Sequence, residues 1–223
     1  MKPIGIIGAM GLEVEELRDA LEDRAETVLA GRSFYSGRLG GTGVVVVCSG
    51  IGKVNAAITT QLLIDHFAVR AVINTGIAGG ALPDIRVRDV VVSDTVVYHD
   101  MDPRILAIGY PHLQEFTADE ELSQKALRAC EGRVRALRGR IATGDQFIAD
   151  SAVKADIVAR TAPACVEMEG GAIAHTAASN GVPFVVIRSI SDNADDEAEM
   201  SYETFERIAA SDAAAIVRKM LAE

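Results

Sequence analysis

Short β-branched apolar runs alternate with amphipathic stretches along the whole 223-residue chain. Ile4–Ala9 has the continuous apolar pattern of a buried strand. In Leu12–Glu22, the residues Leu12, Val14, Leu17 and Leu21 form a helical stripe. Thr27–Leu29, Ser33–Leu39 and Gly43–Ser49 read as strands separated by glycine-rich turns. Val54–Phe67 follows as a helix, Ala71–Thr75 as a strand ending in Gly76–Gly80, which reads equally as a simple tight turn or as backbone open to a ligand, and Asp89–Val97 as a further strand. Helices are expected at Ala118–Cys130 and Ser151–Arg160, around a strand at Arg140–Thr143. The small, Ala-rich Gly170–Asn180 reads as a helix. Pro183–Ile190 reads as a strand covered on both faces, ending in Ser191-Asp192. Thr204–Leu221 closes the chain as a long amphipathic helix.

Strands and helices intermix to the end, with no linker or low-complexity tract. The expected fold is α/β: one domain over residues 1–223, with a central mixed sheet flanked by helices. The sheet is expected to be antiparallel early and largely parallel later. Asp100–Gln114 is the longest irregular segment, a length typical of lids, subunit contacts or plain surface connections.

Composition narrows the function classes. Hydrophobic residues make up 49% of the chain, enough for a full core, and aromatics only 4%, with no Trp. The formal net charge of −10 disfavours a nucleic-acid surface, which needs clustered Lys and Arg. Cys48, Cys130 and Cys165 are odd in number and lack CxxC spacing, so a reducing cytoplasm is expected rather than a disulfide framework. The N-terminus reads as a first strand rather than a signal peptide, and no stretch reaches 18 apolar residues.

Several familiar motifs fail on inspection. Ser49-Gly50-Ile51-Gly52-Lys53 resembles a phosphate loop, but the first glycine of GxxxxGK[ST] falls on Val47 and Lys53 precedes Val54. Gly76–Gly80 reads GIAGG, not the dinucleotide fingerprint GxGxxG, although glycines there let a ligand approach the backbone. Four His with no HExxH and no Cys/His cluster give no metal site, and no GxSxG elbow marks a nucleophilic serine.

Carboxylates remain. Glu13 follows the first strand, and Asp192 ends the strand at Pro183–Ile190. Glu167 and Glu169 flank Met168 within the stretch Ala164–Asp196. Any one of them could simply favour a helix N-terminus. Carboxylates delivered from three strand ends to one edge of a sheet point instead to a cleft that meets developing positive charge. Like charges sharing a cleft also push their pKa values apart, which yields one acid and one base. Arg188, four residues before Asp192, is expected on the same face as a buried charge partner.

The chain resembles the 5′-methylthioadenosine/S-adenosylhomocysteine nucleosidases of the purine nucleoside phosphorylase-like superfamily. The resemblance is carried by IGIIGAM at Ile4–Met10 with Glu13, SGIGKVNAA at Ser49–Ala57, NTGIAGG at Asn74–Gly80 and VVVSDTVVYHDMD at Val90–Asp102. It continues through TGDQFI at Thr143–Ile148, VEMEGGAIAH at Val166–His175 and VPFVVIRSISDNAD at Val182–Asp195. It implies hydrolysis of the N-glycosidic bond of an adenine nucleoside in methionine salvage, by a cytoplasmic homodimer without cofactor or metal. Asp192 then resembles the general acid toward adenine N7, and Glu13 the base that activates water. Glu169 resembles the carboxylate on the ribose hydroxyls, with Glu167 and Met168 beside it. Phe147 resembles the ring stacked on adenine, and the Ile148 backbone reads the base edge. Ala78 and Gly79 fall beneath the substrate. Met10, Ile51 and Tyr202 resemble apolar walls, and Arg188 and Ser191 the support of Asp192.

Three positions depart from the family pattern. Ile77 stands where Ser is common, Gly170-Gly171 replaces a bulkier pair, and Asp100–Gln114 differs in the segment that typically reaches the neighbouring subunit. Related activities on 5′-deoxyadenosine or aminodeoxyfutalosine share the same chemistry. A phosphorolytic enzyme would need cations for phosphate, and Asn74 stands where related phosphorylases carry Arg. A nucleoside-binding sensor would keep Phe147 and Glu169 but lack an acid or a base, and both Glu13 and Asp192 are present.

Overall fold

The computed structural model describes residues 2–195 and 197–222. Asp196, the last carboxylate of the stretch singled out above, lies outside the described residues, as do Met1 and Glu223. The chain runs β1 (Ile4–Gly8), α1 (Gly11–Asp19), β2 (Glu22–Leu29), β3 (Arg32–Leu39), β4 (Thr42–Cys48), α2 (Lys53–Phe67), β5 (Ala71–Gly80) and β6 (Val90–Tyr98). It continues through α3 (Pro103–Leu106), β7 (Phe116–Thr117), α4 (Glu120–Cys130), β8 (Ala136–Thr143) and α5 (Ser151–Thr161). The last elements are β9 (Cys165–Glu167), α6 (Gly170–Ser179), β10 (Phe184–Asp192) and α7 (Ala198–Ala222). The fold is α/β, with a mixed ten-stranded sheet between helices.

The strand order is β10-β6-β8-β9-β5-β1-β4-β3-β2, and β10 also pairs with β5. Strands β5, β9, β8, β6 and β10 therefore close into a ring, and β1-β4-β3-β2 extends from it as a wing. The wing is antiparallel at β2-β3-β4 and parallel at β4-β1-β5. Within the ring β5 and β10 run together, while β6, β8 and β9 run against them.

Alternation along the strands feeds two cores. Ile4, Ile6, Val44, Val46, Val185 and Ile187 meet helices α1, α4 and α7 on one face. Val45, Val47, Val72 and Val186 meet α2 and α6 on the other. Burial on both faces explains why these strands are almost purely apolar.

Several expectations need correction. Helix α1 ends at Asp19, and β2 begins at Glu22 rather than Thr27. This edge strand pairs only with β3 and is largely exposed, so charged residues hide its pattern. Helix α7 starts at Ala198, upstream of the expected Thr204. Asp100–Gln114 holds the short α3, whose N-cap Asp102 accepts from the Arg104 N–H at 2.9 Å. Gly76–Gly80 is not a turn but the end of β5. The glycines serve close approach: a Cβ at Gly76 would collide with Arg188 Nη1 and Glu13 Oε1, and one at Gly79 would lie 2.8 Å from Asp192 Oδ1. No described helix is long and apolar enough to cross a membrane.

Candidate active site

The ring brings the C-terminal ends of β5, β9 and β10 around one cavity of about 460 Å³. Met10, Glu13, Ile51, Ala78, Gly79, Phe147, Ile148, Glu167, Met168, Glu169, Ser191, Asp192 and Tyr202 all line it. Of the candidate residues only Arg188 is absent from the wall. Ala9, Ile77, Gln146, Val166 and Glu203, outside the candidate set, also line it. Each is the immediate neighbour of a chosen residue, so adjacency was the signal that could have found it.

Glu13 is held by the chain entry to α1. Its Oε2 accepts from the N–H groups of Ala9 (2.6 Å) and Met10 (3.0 Å), and its Oε1 from the Ile77 N–H (3.0 Å). This third helical position reaches back to otherwise unpaired N–H groups, as an N-terminal carboxylate does. Burial raises its pKa, against the opposing effects of the Arg188 charge and the three N–H donors.

Asp192 sits past a register shift in β10, where Ile190 pairs with Ala78 but Asp192 pairs with Gly79. The extra residue breaks the two-residue period and re-aims the side chain. Asp192 Oδ1 accepts from the Ala194 N–H and Oδ2 from the Ser191 hydroxyl, each at 2.8 Å. Burial raises the pKa of this carboxyl as well.

The bulge overturns one expectation. Arg188 does not partner Asp192; it joins Glu167 through Nη2, with Glu169 Oε2 at 3.3 Å and Glu13 Oε1 at 4.0 Å. Asn74 Oδ1 accepts from the same Nη2 at 2.7 Å, while the Asn74 amide donates to the Ile7 carbonyl. Asn74 thus belongs to the site's foundation. Arg188 is 1% exposed, so its charge is neutralised beneath the cavity floor rather than presented to a ligand.

Glu167 and Glu169 differ in what their oxygens have left to offer. Glu167 Oε1 accepts from Thr143, and Oε2 from Arg188, the Glu169 N–H (3.0 Å) and the Gly170 N–H (2.7 Å). It is consumed as a brace. Among the described residues, Glu169 accepts only from the Gly52 N–H (2.9 Å) and, at longer range, from Arg188. Burial and the nearby Glu167 raise its pKa.

Apolar residues close the rest. Phe147 is 47% exposed at the rim and meets Tyr202 edge-on at 5.5 Å, and the Tyr202 hydroxyl donates to Met10 Sδ at 3.1 Å. Ile77 packs near Met10, Leu12 and Tyr202. A cavity with apolar walls and four buried carboxyls suits a ligand that gains positive charge.

Known proteins resemble the chain in sequence and in fold. Residues 3–222 match the phosphorylase superfamily. A 5′-methylthioadenosine/S-adenosylhomocysteine nucleosidase of Geobacillus thermodenitrificans is 45% identical over 225 positions, covering 97% of this chain and 94% of that one. The chain belongs to that nucleosidase family. The family's nucleosidase from Neisseria meningitidis, solved in complex with methylthio-immucillin-A, superposes with a TM-score of 0.93 at 38% identity, covering 99% of this chain and 98% of that one. The nucleosidase from Colwellia psychrerythraea, solved in complex with adenine, gives 0.92 at 41% identity, covering 99% and 94%.

Within this family frame, the departures acquire physical reasons. Ile77 offers no hydroxyl to Asp192, yet both Asp192 oxygens are already satisfied by Ser191 and Ala194. Gly171 sits against Tyr98 and Thr143, where a Cβ would lie 2.7 Å from the tyrosine ring, and its N–H donates to Thr143 Oγ1.

Proposed function

We propose that the protein hydrolyses the N-glycosidic bond of 5′-methylthioadenosine and S-adenosylhomocysteine, releasing adenine and a 5-thioribose derivative. One observation carries this reading: Glu13, Glu167, Glu169, Asp192 and Glu203 line the cavity, and no Lys or Arg does so among the described residues. Glycoside cleavage passes through an oxocarbenium-like transition state, so carboxylates stabilise it more than the neutral substrate.

Asp192, whose pKa burial raises, serves as the acid and gives its proton to adenine N7. The bond between C1′ and N9 breaks and adenine leaves neutral. Water attacks C1′ as Glu13 takes one of its protons. Glu169 holds the ribose hydroxyls, and Phe147 and Ile148 hold the base. Ser191 orients Asp192, while Arg188 and Glu167 fix the other two glutamates. Phosphorolysis would need a free cation, and Arg188 is buried and engaged by carboxylates.

Adenine release from methylthioadenosine, adenosylhomocysteine, 5′-deoxyadenosine and aminodeoxyfutalosine, with and without phosphate, tests the proposal. Phosphate-independent release with a free anomeric hydroxyl on the sugar is expected, fastest for the two thioethers. Release that requires phosphate, or preference for a nucleoside without the thioether, would overturn it.

We further propose that residues 1–223 act as one domain in a cytoplasmic homodimer. Exposed Val54, Ile105, Ile108 and Tyr110 support the dimer, because large apolar side chains in such number favour a covering surface. The free thiols of Cys48, Cys130 and Cys165 support the compartment. Sedimentation that finds an active monomer at assay concentration would exclude the dimer.

A further inference from the structure

Lys53 ends the glycine-rich turn that fails as a phosphate loop, and the chemistry above leaves it unused. Its Nζ lies 2.8 and 2.7 Å from the two carboxylate oxygens of Asp100, and 3.6 Å from Asp145 Oδ2. Its backbone N–H donates to Asp145 Oδ1 at 2.8 Å. The Asp145 N–H donates in turn to Asp100 Oδ2 at 3.0 Å. Three separate loops therefore meet at this ammonium: the turn before α2, the chain leaving β6 and the segment between β8 and α5.

Two of those loops build the cavity. Ile51 precedes Gly52, whose N–H holds Glu169. Asp145 immediately precedes Gln146, Phe147 and Ile148, all in the cavity wall. The first N–H groups of a helix lack internal partners and carry the positive end of its dipole. At α2 two of them are taken by the carboxylates of Glu169 and Asp145, where a phosphate loop would hold phosphate. Gly52 has φ of +95°, and a Cβ there would lie 3.1 Å from Asp145 Oδ1, so the turn itself is shaped to this contact. Asp145 and Asp100 would repel one another without a cation between them. The Lys53 side chain is only 23% exposed, which limits screening by water.

We propose that Lys53 is a positioning residue: with Asp100 and Asp145 it clamps segment 146–148 onto the helix end that holds Glu169, so the base and sugar contacts are set together. This rests on the nucleosidase reading for its effect on substrate, but not for its effect on the loops. Because Asp192 and Glu13 stand on other elements, losing the clamp weakens binding more than the chemical step.

Lys53→Met is compared with Lys53→Arg and with the double variant Lys53→Met/Asp145→Asn. Steady-state hydrolysis is read beside amide hydrogen exchange of residues 49–53 and 144–149. For Lys53→Met, KM for methylthioadenosine rises about tenfold and kcat changes less than about threefold. Exchange rises in both segments together. Lys53→Arg, which can still reach both carboxylates, restores KM, and the double variant is no worse than Lys53→Met because the repulsion is gone. An unchanged KM, equal losses in kcat and in stability, or faster exchange in residues 49–53 alone would overturn the clamp. If the wild-type protein released no adenine from any nucleoside, the function would be refuted, while the exchange measurement would still decide the clamp.

Discussion

The Ser191 hydroxyl donates to Asp192 Oδ2 at 2.8 Å, and Asp192 Oδ1 takes the Ala194 N–H at the same distance. Asp192→Asn preserves both contacts: the amide oxygen accepts from Ala194, and the amide nitrogen donates to the rotatable hydroxyl. Only the titratable proton is lost. Turnover is therefore expected to fall about 10²–10⁴-fold while the melting temperature holds or rises, since an ionisable buried group has gone. Near-normal adenine release by the purified variant would remove Asp192 from the role of acid.

Glu13→Gln behaves differently despite its similar chemistry. Glu13 accepts three N–H groups, two at Oε2 and one at Oε1. A glutamine must turn its own NH₂ toward at least one of those donors, leaving a buried N–H unpaired. The expected result is a similar loss of turnover together with a stability loss of about 1–3 kcal/mol. Denaturant titration read beside activity checks both. Full hydrolysis in this variant would reassign the base.

The contrast shows what a sequence carries and what it does not. Strands such as Ile4–Gly8 and Phe184–Asp192 were legible because burial on both faces leaves unbroken apolar runs. Of Glu22–Leu29 only the end at Thr27–Leu29 was, because an edge strand carries no such run. The carboxylates of the site were legible as strand-end residues. Their partners were not: one inserted residue in β10 sends Arg188 to the glutamates and Asp192 to Ser191, and a bulge leaves no periodic trace. Gly76 looked like a turn signal, but its reason lies in Arg188, which is distant along the chain. Gly52 likewise matters through an N–H that only the fold brings to Glu169.

Catalysis needs Glu13 ionised and Asp192 protonated, and burial raises both pKa values from the ordinary 4.5 and 3.8. The rate should fall on the acid side as Glu13 gains its proton and on the alkaline side as Asp192 loses its own, giving a bell in kcat/KM. Stability has the opposite sign from that of a salt-bridged acid. The folded state binds more protons than the unfolded chain between the ordinary and the raised values. Stability from these groups is thus full below the ordinary values and is lost as pH rises through the raised ones. Melting curves across that window should show the decline, and Asp192→Asn should flatten part of it. A decline of equal slope in the variant would contradict the assignment.

Gly76→Ala tests the packing of β5 against the buried ion cluster. Gly76 pairs with Arg188 in the sheet, and its φ needs no glycine, so any loss comes from the methyl group alone. That methyl would strike Arg188 Nη1 and Glu13 Oε1. Neither can retreat easily, because Arg188 is tied to Glu167 and Asn74, and Glu13 to three N–H groups. A stability loss of about 1–3 kcal/mol is expected, as for other overpacked cores. Turnover should fall with it, since Glu13 is displaced. Gly11→Ala is the matched control: a Cβ there meets nothing within 4 Å, and the substitution favours helix. Its melting temperature and activity should equal or exceed those of the parent. If both alanine variants behaved alike, close approach at Gly76 would not be what its missing side chain provides.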